Sequence, residues 1–83
     1  MIIVSIKDLV ADSFFEPKIS ANEAAAKRDF KLITTQPSDS LLYQRAEDFQ
    51  MWKLGTWDNR TGTITMEPKL LEQGVKNDLR KQN

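Results

Sequence analysis

The side chains in this sequence best suited to holding a partner are a tryptophan in an alternating stretch and a scatter of cations. Trp52 lies in Phe49–Trp57, where large apolar residues interleave with polar ones. On the exposed side of a strand its ring could stack an unpaired base, worth about 1–3 kcal/mol per base whatever the sequence. The same ring could pack under a helix or in a dimer interface, where tryptophan is enriched; packing carries more weight. Lys53 beside it then points inward or bends to the edge. Lys27, Arg28 and Lys31 fall within about one turn of a predicted helix and could contact phosphates. Glu23, four residues before Lys27, and Asp29 fit a solvated face with i,i+4 pairs equally well, and that reading is favoured. Arg28 could brace Asp48 or another carboxylate as readily as touch DNA. Arg60, in the turn Asp58-Asn59-Arg60-Thr61-Gly62, reaches outward in either case. Lys76, Arg80 and Lys81 form a basic end that could hold phosphate, although suiting a helix C-terminal dipole is the stronger reading.

Catalytic chemistry finds little to work with. The chain has no histidine and no cysteine, which removes the commonest metal ligand and general base and every thiolate. The carboxylate pairs Asp8/Asp12 and Glu47/Asp48 lack a calcium-loop pattern around them. Asp48 is better placed to accept backbone amides ahead of the strand. No Ser-His or Cys-His arrangement and no Gly-rich phosphate loop is present, so the expectation is a protein without enzymatic activity, metal or cofactor.

Composition narrows the partners. Twelve basic and twelve acidic residues cancel, so no overall field gathers nucleic acid and only a local patch could. Eighty-three residues make one domain, 1–83. A chain this short buries only about 60–65% of its unfolded surface, which makes the monomer marginal and a homodimer plausible. The apolar start, Met1 to Lys7, is too short to span a bilayer and lacks the charged beginning of a signal peptide. The expectation is a soluble protein that stays in the cytoplasm where it is made and has no membrane partner.

The elements that must position these residues follow from periodicity. Ile2, Val4 and Ile6 alternate with Ile3, Ser5 and Lys7, predicting a first strand with its even positions buried. Asp8–Asp12 connects it to a second strand in which Phe15, Pro17 and Ile19 oppose Phe14, Glu16 and Lys18. Pro17 cannot donate to a ladder, which puts it at an edge or bulge. Ser20-Ala21-Asn22-Glu23 fits a capping box that starts a helix with its Ala26, Phe30 and Ile33 stripe buried. After a polar loop, Leu41–Tyr43 is either extended or a helical turn. Phe49–Trp57 and Thr63–Met66 flank the Asp58–Gly62 turn as a β-hairpin. Glu67-Pro68 resembles a helix start, and Leu71, Val75 and Leu79 recur every fourth residue, predicting a short C-terminal helix. The order β-β-α-β-β-α predicts an α+β fold, a small antiparallel sheet with one helix packed on a face and the short helix at the end.

Taken together the segments resemble the small nonstructural protein family of gokushoviruses, members of the Microviridae with circular single-stranded DNA that infect bacteria. The carrying residues are Ser5-Ile6-x-Asp8, Phe15-x-Pro17 and Asn22-x-Ala24-x-Ala26-x-Arg28-x-Phe30. The strongest block is Glu47-Asp48-Phe49 with Leu54-Gly55-x-Trp57-Asp58-x-x-Thr61-Gly62, against the family's P-E-D-F and L-G-x-F-D-x-x-T-G. Ala46 and Trp57 depart from that pattern, and the tail past Pro68 is not constrained by it. The resemblance implies a bacteriophage protein absent from the virion that binds DNA. It implies a role in the switch from replicating the double-stranded form to making and packaging single-stranded genomes in the host cell. No catalytic residue comes with it. The competing expectation is a protein–protein adaptor that engages a host or viral replication or procapsid component without touching DNA.

Overall fold

A computed structural model describes residues 1–77. β1 (Ile2–Asp8) is the central strand of an all-antiparallel sheet. One of its edges pairs with β2 (Ser13–Phe14) and β3 (Lys18–Ser20), the other with β4 (Phe49–Trp57), and β4 pairs with β5 (Ile64–Gln73). The thirteen-residue helix α1 (Glu23–Thr35) covers one face. A four-residue helix α2 (Leu41–Gln44) and a 3-10 turn over Ala46–Asp48 lead into β4. The expected α+β architecture is present.

The core forms where the two periodicities meet. Ile2 and Val4 from β1, Phe49 and Met51 from β4, and Leu71 from β5 close over Ala26 and Phe30 of α1. Phe30 is only 1% exposed, and burying such a ring is worth about 1.5–3 kcal/mol. The helix stripe is the expected one with a single exchange: Thr34 is buried in place of Ile33. Thr34 manages this because its hydroxyl donates to the Phe30 carbonyl at 2.9 Å.

Three further expectations are corrected. The second strand is two short strands, because Pro17 has no amide hydrogen and the ladder breaks around it. The helix is capped by Asn22 rather than Ser20: Asn22 Oδ1 accepts from the Ala25 amide at 2.8 Å, and Glu23 becomes the first helical residue. The predicted C-terminal helix is absent through Asn77, and its Leu79 lies outside the described residues. Residues 64–73 instead run as β5, because hairpin pairing with β4 outweighs the helical spacing of Leu71 and Val75. Pro68 suits an edge strand. Gly74, which looked like a cost inside a helix, is required by close approach: a Cβ there would collide with the Ala46 carbonyl.

The hairpin turn behaves as its residues predict. Asp58 Oδ1 accepts from the Arg60 amide at 2.9 Å, and Gly62 takes φ +79°. The hairpin gives the molecule its shape. The extents are 52 × 24 × 18 Å and the radius of gyration is 14.0 Å, against about 12 Å for a compact chain of this length.

Candidate functional site

The sheet separates two very different surfaces. On the helix side, Glu23 at the start of α1 gathers Lys69 Nζ at 3.1 Å and Lys53 Nζ at 3.5 Å, while Glu67 lies 3.9 Å from Lys53. Lys53 is 12% exposed in its side chain and therefore points inward. The hydrogen bond from Lys69 holds the Glu23 carboxyl below the usual glutamate range; loss of solvent opposes it, and the charges of Lys69 and Lys53 add to the lowering.

On the opposite side no helix among the described residues covers the strands. Trp52 stands there, directly across from Ser5 on β1 and Leu70 on β5. Its ring meets Phe14 edge-on, centroids 6.2 Å apart at 82°. Lys7 Nζ sits 5.5 Å from the Phe14 ring centroid, a cation–π contact. Trp52 Nε1 donates to Gln50 Oε1 at 2.9 Å, and Gln50 Nε2 donates to Gln73 Oε1 at 2.7 Å. Alternation along β5 from Leu70 puts Met66 and Ile64 on this same face, with Trp57 opposite Ile64. Gln50, two residues away, shares the Trp52 face by simple alternation, whereas Phe14, Lys7 and Gln73 were missed as neighbours, since only long-range strand pairing brings them there.

The remaining candidates are dispersed. Lys27, Arg28 and Lys31 are exposed on α1, on the far side of the sheet from Trp52, and Arg28 Nε pairs with Asp29 at 3.3 Å. Arg60 is exposed at the hairpin tip. Lys76 is exposed on the extended segment after β5, so the helix-dipole reading does not apply to it. Arg80 and Lys81 lie outside the described residues. The structure thus brings together neither the α1 cations with Trp52 nor either with Arg60.

The Asp8/Asp12 pair has structural work, whereas Glu47 Oε1 is buried without a hydrogen-bond partner among the described residues. Asp8 Oδ1 accepts from the Val10 and Ala11 amides, and Asp12, at φ +55°, pairs with Lys7 at 3.9 Å. Asp48 takes part through its backbone carbonyl, which accepts from Leu9 at 2.8 Å. Among the described residues, no three histidine, cysteine or acidic side chains cluster to hold a metal, and no helix is long and apolar enough to cross a membrane. A groove of about 260 Å³ between α1 and the β1–β3 edge is lined by apolar groups such as Ile6, Phe15 and Ile33.

A family model described as phage ORF5 protein matches residues 1–77. No curated protein and no solved structure matches the chain.

Proposed function

Because the chain belongs to the phage ORF5 protein family, we propose that it is a non-enzymatic accessory protein of a single-stranded DNA phage of the gokushovirus type. It binds DNA and acts in the switch to single-stranded genome synthesis and packaging, within the host cell. One observation supports the DNA contact: Lys27 and Lys31 stand one turn apart on the exposed face of α1 without an ion-pair partner among the described residues. The two can follow a phosphate backbone, whereas Arg28 is paired with Asp29 and Lys53 and Lys69 with Glu23 and Glu67. Binding of this kind is electrostatic, so log affinity falls linearly with log salt, by about 0.7 per neutralised phosphate on a single strand. Fluorescence anisotropy with single- and double-stranded oligonucleotides across a salt series tests it. No binding at low salt would overturn it.

A second reading, a protein–protein adaptor for a replication or procapsid component, is favoured by the open sheet face, which is apolar and almost uncharged. Pull-down with the phage replication and procapsid proteins, set beside the anisotropy series, distinguishes the two.

A further inference from the structure

We propose that the open face of the sheet is the interface of a homodimer, in which two copies pack sheet against sheet about a two-fold axis with the α1 helices outward. A sheet with one face on a core and the other rich in large apolar groups needs a second layer. Here that second face carries Phe14, Trp52, Trp57, Ile64, Met66 and Leu70, with Met66 66% and Leu70 43% exposed. Residues 78–83 contain one large apolar side chain, Leu79, and follow Asn77, which is anchored on the helix side by hydrogen bonds to Thr34 and Tyr43.

Charge selects the occupant. Among the positions that strand register and alternation place on this face, Lys7 alone is charged, and Asp12 lies beside it as its counterion. Glu23, Lys53, Glu67 and Lys69 gather on the helix side, and Asp58 and Arg60 lie in the hairpin turn. A nucleic acid would need several cations here. A two-fold pairing sets this surface against itself, and a surface without net fields meets its own copy without repulsion.

Area agrees. Nine residues of β4 span about 30 Å and four ranks of strands about 19 Å, a flat footprint of about 570 Å² per copy. Two copies bury about 1,140 Å² before side-chain relief is counted, just short of the lower end of stable interfaces at about 1,200 Å², and the relief of the protruding Trp, Met and Leu side chains adds to it. Pro68 interrupts the free edge of β5 and guards it against strand addition, so the face is the surface left open for association.

Sedimentation equilibrium of the full chain from about 1 to about 500 µM spans the affinities such an interface supports. The expected result is a rise from 9.5 kDa to twice that mass. Leu70→Glu and Met66→Glu are expected to stay monomeric with an unchanged circular dichroism spectrum, while Ile33→Glu, on the helix side, still dimerises. Should the face variants fail to fold, tryptophan emission of the wild-type chain decides. Trp52 and Trp57 both lie on the face, so emission should shift to the red on dilution through the same range. Wild-type mass constant at 9.5 kDa, Leu70→Glu dimerising as well as wild type, or emission indifferent to dilution would each overturn the proposal. A monomer whose Leu70→Glu variant loses oligonucleotide or protein binding would assign the face to that partner instead. Failure of the DNA reading leaves the dimer untouched, since Lys27 and Lys31 lie on α1.

Discussion

Lys53 Nζ lies 3.5 Å from Glu23 Oε2, joining the middle of β4 to the first residue of α1. The contact locks the helix N-terminus over the sheet at the level where the hairpin leaves the core, and Lys69 of β5 completes it from the other side. A carboxylate at this position also faces the positive end of the helix dipole.

That arrangement has a pH signature. The folded pKa of Glu23 is lowered, first by the Lys69 hydrogen bond. Its stabilisation is therefore present above the ordinary glutamate pKa of about 4.3 and is lost as pH falls through the lower folded value. Urea midpoints measured from neutral pH down into this acid window should show wild type losing its advantage over Glu23→Gln. A constant difference across the window would rule this out.

Gly55 and Gly62 separate space from conformation. A Cβ at Gly55 would strike the Thr65 carbonyl of the paired strand, whereas Gly62 has open space but φ +79°. Gly55→Ala should cost about 2–3 kcal/mol by forcing β4 and β5 apart. Gly62→Ala should cost about 1 kcal/mol from the left-handed backbone alone. Equilibrium urea denaturation of both variants ranks them, and the reverse order would contradict the hairpin geometry.

Asn77 is 7% exposed and donates to the Thr34 carbonyl at 2.7 Å and the Tyr43 carbonyl at 3.0 Å. Asn77→Ala leaves both acceptors unpaired and should cost about 2 kcal/mol. Asn77→Asp should cost more, because a carboxylate has no proton to offer two carbonyl oxygens. Thermal melts followed by circular dichroism check the order.

For DNA, the double variant Lys27→Ala/Lys31→Ala should weaken single-strand binding and flatten the log–log salt slope by about 1.4, or about 0.7 for each phosphate no longer neutralised. Lys53→Ala should leave the slope unchanged, since that lysine is held by Glu23 and Glu67. Anisotropy titrations at several salt concentrations read both.

Local pattern alone was enough for the alternation that buries Ile2 and Val4, the Phe30 stripe of α1, and the Asp58–Gly62 turn, because each depends on neighbours a few residues away. Tertiary structure decided what local pattern leaves degenerate. Leu71 and Val75 sit at helical spacing, yet residues 64–73 become a strand because β4 offers a ladder that a short helix cannot match. Lys53 could have faced either way until Glu23 was placed above it. Trp52 became the centre of an uncovered face only when strand pairing set it beside Phe14, thirty-eight residues away in the chain. Such contacts arise from register between distant strands, and register is settled by the whole sheet packing at once rather than by any one segment.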